Sequence, residues 1–203
     1  MEVSTHTLQE TRNFPLAAVV GLNPEGIAFV PNADIEQYGF YGLPTSPNGG
    51  YFVIATQKDG TLHIMDVPLL NVGSPTEQLV LEVPGLKEDA SDVFYRPGEL
   101  WVVSSSEKRL YHLALTATEG EADVVEEYKL KDLFKDFEDV EGLAFGSDGA
   151  LYVGDDLNQS AYRFDDFPAC MANEACQLTW SKYMSTVEVS GLYWDVANGY
   201  LLV

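Results

Sequence analysis

The stretch Glu141-Gly-Leu-Ala-Phe-Gly-Ser-Asp-Gly-Ala-Leu-Tyr-Val153 decides how this chain is read. An acid-glycine pair leads a short apolar strand, Gly142–Phe145. Ser147-Asp148-Gly149 is a strong hairpin-turn signal, and a second apolar strand follows over Ala150–Gly154. The same phrase appears three more times: Glu25-Gly-Ile-Ala-Phe-Val, Ser91-Asp-Val-Phe-Tyr and Ser190-Gly-Leu-Tyr-Trp. Its second members, Gly26, Asp92, Gly142 and Gly191, stand 66, 50 and 49 positions apart. A period near fifty residues with several short strands in each period predicts an all-β chain, a β-propeller of four-stranded antiparallel blades.

The repeats divide residues 1–203 as a single propeller domain. Blades are expected over 23–85, 86–131 and 138–183, with a partial blade over 187–203. In the first blade the strands are Gly26–Val30, Tyr51–Thr56, Thr61–Val67 and Gln78–Val83, with Lys58-Asp59-Gly60 as a turn. The insert from Pro31 to Gly50, rich in Pro, Asn and Gly, reads as a loop and accounts for the longer first interval. Lys131–Asp139 reads as a helical turn over a blade edge, and residues 1–22, with apolar Phe14–Val20, as the outer strand of a neighbouring blade. The fourth repeat turns at Ala197-Asn198-Gly199 and stops in its second strand at Val203, so the chain reads as a piece of a larger ring.

Charge limits the function classes. Thirty-two acids against eleven Lys and Arg leave a formal net charge of −21 over 203 residues. Nucleic acid, which needs a basic footprint, is excluded as a natural partner, and an anionic membrane surface is disfavoured. Cations and cationic ligands are the guests such a field attracts; alternatively the acids only keep the surface hydrated. No apolar run approaches the roughly 20 residues of a membrane span, and no secretory signal is visible. Cys170 and Cys176 are the only cysteines. They either close a small disulfide loop, which favours an extracellular or periplasmic setting, or remain two reduced thiols.

In a propeller the inner strands surround the axis, so residues leading each phrase converge although they lie far apart in sequence. Here they are Glu25, Asp92 or its neighbour Ser91, Glu141 and Ser190, with Asp155 and Asp156 closing the second strand of the third blade. Carboxylates gathered at one channel mouth repel unless a cation is bound or their pKa values rise. Hard oxygen ligands of this kind suit Ca²⁺, for which Glu25, Asp92, Glu141 and Asp155 are the candidate ligands, with Asn23 and Asn32 as neutral carbonyl donors. The contrasting reading is that the acid-glycine pair only shapes a tight turn into each inner strand. His63 and His112, with Arg163, read as one solvent-facing stripe on the third strands, and no nucleophile elbow or phosphate loop is present.

With its Glu25-Gly-Ile-Ala-Phe, Glu141-Gly-Leu-Ala-Phe-Gly-Ser-Asp-Gly and Ser190-Gly-Leu-Tyr-Trp phrases, the chain resembles the SdiA-regulated family of β-propellers over about residues 20 to 203. More distantly it is similar to gluconolactonase (SMP-30-like) and esterase-like phytase propellers. The resemblance implies a five- or six-bladed ring with a divalent cation, commonly calcium, near the channel mouth. In the lactonase-like group the Glu of the Glu-Gly phrase is a metal ligand, a role that Glu25 and Glu141 match; Asp92 matches only as a displaced acid, and Ser190 replaces the acid.

Two functions follow. One is an acidic binding module, calcium-binding at the channel mouth, for a small-molecule or protein ligand. The other is a metal-dependent hydrolase of lactonase or esterase type, which also needs a general base that no repeated residue supplies.

Overall fold

In the computed structural model, residues 2–3, 10–69, 72–171, 176–184, 191–195 and 200–202 are described. The expected Ser190 position and the Ala197–Gly199 turn lie outside them. The described chain is mostly strand, and none of its helices is long and apolar enough to cross a membrane.

A two-stranded pair, β1 (Glu2–Val3) and β2 (Glu10–Arg12), comes first. Three successive antiparallel meanders follow. The first runs β3 (Pro24–Pro31), β4 (Gly50–Thr56), β5 (Thr61–Asp66) and β6 (Thr76–Glu82). The second runs β7 (Ala90–Arg96), β8 (Glu99–Ser104), β9 (Arg109–Thr118) and β10 (Glu121–Lys129). The third runs β11 (Val140–Phe145), β12 (Leu151–Asp155), β13 (Ser160–Phe164) and β14 (Leu178–Tyr183). A final pair, β15 (Tyr193–Asp195) and β16 (Tyr200–Leu202), starts a fourth. A single parallel pairing, Glu121 with Glu82, ties β10 to β6 and joins the first two meanders into one eight-stranded sheet.

The meanders stack face to face, and strand alternation explains how. In the first, Val53, Ala55, Leu62 and Ile64 point to one side and meet Leu100, Val102 and Leu113 of the second. The second meander's other side, with Trp101, Val103 and Leu110, meets Leu143, Leu151 and Val153 of the third. The third meander's far side, with Ala144 and Tyr152, meets Leu192 and Leu201. First strands pack beside one another from meander to meander: β3 on β7, β7 on β11, β11 on β15.

Two segments differ from the sequence reading, and a third forms as expected but starts one residue earlier and is shorter. The Pro31–Gly50 insert contains a short helix, α1 (Asn32–Tyr38), whose Ile35 is buried on the first interface, with Phe40 just after the helix beside it. The helical turn after the second meander forms as α2 (Leu130–Leu133), with Leu133 and Phe137 in the next core. Phe14–Val20 is not a strand. It holds a 3-10 turn over Ala17–Val19, and Phe14, Leu16 and Val19 lie across Ile54, Met65 and Val67 of the first meander. An apolar run that covers a sheet face has the composition of a strand, so only its contacts tell the two apart.

Cys170 and Cys176 are joined by a disulfide across the β13–β14 connection.

Candidate functional site

A register irregularity falls at the same place in each meander: between Pro24 and Ile27, between Ala90 and Asp92, and between Val140 and Gly142. Each is a break of bulge type, which turns one side chain out of the regular alternation. The residues turned out are the phrase leaders Glu25, Ser91 and Glu141. The repeated phrase therefore brings its leading residues to one end of the first strands through backbone geometry as well as sequence spacing.

Glu25 and Glu141 share that end with Asp89, Asp139 and Asp156, all five being partly buried. Partial burial raises the Glu141 carboxyl to about 7, and the charges of Asp139, Glu25, Asp156 and Asp89 push it the same way. Glu25 is raised too, by burial and then by Asp89, while Asn23 Nδ2 donates to its Oε1 at 2.6 Å. Among the described residues no three His, Cys, Asp or Glu side chains converge tightly enough to hold a metal ion as they stand. Glu25 and Glu141 nevertheless feel each other's field across three first strands, so a cation held between them would relieve a repulsion already present.

Asp92 is placed differently. It is buried beneath this end, between two meanders. Val93 N–H donates to its Oδ1 at 2.8 Å, and Leu143 N–H from the next meander donates to Oδ2 at 2.7 Å. Burial outweighs these two amides and lifts the carboxyl to about 8. The chain passes very close here: a Cβ on Gly26 would lie 2.6 Å from the Asp92 Cα and from Val93 N. Glycine at position 26 is thus required by close approach, not by φ.

Asp155 is buried at the end of β12. Its carboxylate accepts from Glu138 N–H at 2.9 Å, Asp139 N–H at 3.2 Å and Asn158 Nδ2 at 2.8 Å. These bonds fix the β12–β13 turn and the path into β11. Thr56 does comparable work two repeats earlier, donating to Asp59 Oδ1 at 2.6 Å. Asn32 stands beyond the far end of β3 from Glu25, roughly 25 Å along an extended strand. It is paired with Ser46, donating to its carbonyl at 2.7 Å and accepting its N–H at 2.9 Å. It is no neighbour of the acidic end.

The sequence reading missed Asp89 and Asp139, and the signal was available. Each precedes its phrase leader by two residues, as Asn23 precedes Glu25, so the repeated motif is Asn/Asp-x-Glu/Ser-Gly/Asp. The first position ties each phrase to the β-turn beside it. Gln57 N–H donates to Asn23 O at 2.9 Å, and Asp156 N–H to Asp139 O at 2.8 Å. In the second meander Ser106 N–H donates to Asp89 Oδ2 at 2.8 Å.

The histidines also separate. Strand register pairs His63 with Ile54 but His112 with Trp101, and Arg163 with Tyr152. His63 therefore corresponds to Tyr111 and Tyr162, one position away from the stripe expected. It is buried and lies 2.7 Å from Glu77 through Nδ1. His112 stacks on Trp101 with ring centroids 4.2 Å apart. Neither reaches the acidic end.

No protein-family model and no curated protein matches the sequence. Among solved structures the chain is similar to Hsv2 of Kluyveromyces lactis, at 17% identity over 68% of this chain and 45% of that one, with a TM-score of 0.41. It is similar to Hsv2 of Kluyveromyces marxianus at 16% identity over 66% and 42%, TM-score 0.41. A functionally unknown protein from Desulfotomaculum acetoxidans matches at 13% identity over 90% and 63%, TM-score 0.45. The chain spans less than half of the Hsv2 structures it matches. At such identities no function passes from one chain to the other.

Proposed function

We propose that this chain forms part of an acidic β-propeller that acts as a binding module, taking a divalent cation, Ca²⁺ foremost, at the end of its first strands. The meanders are the blades, their first strands surround the channel, and the five-carboxylate end is one channel mouth. The observation that carries the reading is Glu141, whose carboxyl is held near 7 by burial and by four surrounding acids. A site that strains its own carboxylates gains most when a cation enters. Glu25 and Glu141 are the ligands, with Asp89, Asp139 and Asp156 supplying field or further oxygens. Asp92 and Asp155, engaged by backbone amides, support the strands that present them.

A second reading rests on the same residue. A carboxyl near 7 is poised as a general base, the group that a lactonase or esterase acting through a bound cation would need. Glu141 would then take the proton from the attacking water.

Thermal melts in EDTA and in millimolar Ca²⁺ or Mg²⁺ test the first reading. A ligand at about 100 times its Kd stabilises by about 2.7 kcal/mol, a readily visible shift. Ca²⁺ is expected to raise Tm more than Mg²⁺, and Glu25→Gln and Glu141→Gln each to reduce the rise. An identical melt in all three buffers would refute the cation. Turnover of a lactone or ester that disappears in Glu141→Gln, while Ca²⁺ still binds, would move the assignment to the hydrolase.

A further inference from the structure

We propose that the groove between β10, the outer strand of the second meander, and the β13–β14 connection binds a short peptide of two or three residues with free ends and an apolar side chain. The inference draws on neither the acidic end nor the ring reading.

The groove has a volume of about 570 Å³, within the range of small-ligand sites. Pro168, Ala169 and Met171 form one wall, and β10 with Tyr128 forms the other. The first wall is firmly held. Cys170 N–H donates to Asp166 O at 3.1 Å and Met171 N–H to Pro168 O at 2.9 Å, and the Cys170–Cys176 disulfide closes the connection. Phe167, 5% exposed, anchors it in the core beneath, its ring 5.1 Å from that of Tyr128. An apolar side chain of the ligand therefore meets a surface that is already formed, which lowers the ordering cost of binding.

The groove also runs beside a strand edge. On its inner side β10 pairs with β9 through Tyr128–Leu110 and Lys129–Arg109. Among the described residues its outer side is paired only at Glu121, with Glu82. Leu130 N–H donates inward to Lys108 O at 2.9 Å. By antiparallel alternation the N–H and C=O of Glu127 and Lys129 then point outward, and both residues line the groove. They stand about 7 Å apart along the strand, the length that two or three extended residues cover. An extended peptide adds to such an edge by main-chain hydrogen bonds.

Charge selects the ends. Arg109 and Glu127 are ion-paired, and Tyr128 Oη donates to Glu126, so these groove residues are engaged. Lys129 and Asp132 also line the groove and are exposed, and among the described residues neither enters an ion pair. A ligand of one sign answers one of them and is repelled by the other. A peptide with free ends answers both, its carboxylate at Lys129 and its ammonium at Asp132, with the side chain between them against Met171 and Tyr128.

Calorimetric titration of the oxidised chain with Ala-Leu-Ala, in EDTA at about 0.05 M NaCl, tests this. EDTA keeps the outcome separate from that of the cation. One peptide per chain is expected to bind, with a Kd below about 1 mM. Acetylating its amino end or amidating its carboxyl end should each weaken binding roughly three- to fivefold. Lys129→Gln should weaken the free peptide by as much and no longer tell acid from amide. Asp132→Asn should likewise no longer tell amine from acetamide. Both change exposed side chains, and an unaltered far-UV circular dichroism spectrum confirms that a lost signal reports the groove. Ala-Gly-Ala should bind roughly tenfold more weakly than Ala-Leu-Ala, and Met171→Ala should shrink that preference. No binding at millimolar peptide overturns the proposal. So do equal binding of the doubly blocked peptide, equal binding of free leucine, and full discrimination of both ends by both variants.

Discussion

The first and second meanders carry the same repeat and use it differently. At the second phrase position the first has Gly26 and the second Asp92. Gly26 lets the two first strands approach closely, and Asp92 uses the contact to accept amides from its own strand and from the third meander. At the centre of the second strand the first meander has Val53 and the second Trp101, equivalent through their partners Ala28 and Phe94. The second meander is covered on both faces, the first fully on one. The middle of the stack is therefore held by large aromatics and a buried carboxyl, while the first meander keeps an open side. The same repeat here builds a hub packed between two neighbours and an edge packed against one.

The largest test of this contrast is Trp101→Ala against Val53→Ala. Trp101 is buried, stacks on His112, packs on Phe145 with centroids 5.0 Å apart, and donates from Nε1 to Glu99 at 3.0 Å. Its loss should cost about 3–5 kcal/mol, and loss of two Val53 methyls about 2 kcal/mol with its cavity. Urea unfolding of the two variants checks the order; equal losses would break the hub-and-edge distinction.

Next is Asp92→Ala, which strands two buried amides, Val93 and Leu143 N–H. Each orphaned donor costs about 1–3 kcal/mol, so a loss of about 2–4 kcal/mol is expected. Hydrogen exchange should quicken at Leu143 more than at Leu151, whose place in the third meander does not depend on the carboxyl.

The smallest effect expected of a single substitution is that of Glu141→Gln on pH dependence, because this carboxyl is only partly buried. The Glu141 carboxyl rises from 4.5 unfolded to about 7 folded. A carboxyl raised on folding binds its proton more tightly in the native state, so its contribution is most favourable below 4.5 and is lost as pH climbs to about 7. Asp92, raised from 3.8 to about 8, adds a loss of the same sign over a wider window. Tm should therefore fall as pH rises from 5 to 8, and Glu141→Gln should flatten part of that slope. A wild-type Tm that rises over this range would contradict both raised carboxyls.

Much of the strand pattern was legible because it depends on local chemistry. Apolar runs of strand length, with Lys58-Asp59-Gly60 and Ser147-Asp148-Gly149 between them, specify hairpins with no reference to the rest of the chain. The site was partly legible. Glu25 and Glu141 were found through their phrase, whereas Asp89 and Asp139 were passed over because the repeat was started two residues late. Asn32 was placed beside Glu25 because both flank one strand, though an extended strand carries its ends far apart. His63 and His112 looked equivalent in sequence, but a one-residue offset puts them on opposite sheet faces.

By itself, then, the sequence determined the all-β class, the period, the turns and the two glutamates that lead their phrases. Those features follow from backbone preference and from side-chain alternation, which act over a few residues. Only the tertiary structure decided which carboxyls are exposed to one another and which are buried under amides, and which sheet face is covered. Asp92 and Glu141 are both acids of the same repeated phrase. What separates them is the Leu143 amide above one and the four carboxylates around the other, and such neighbours are brought together by packing across about fifty residues of chain.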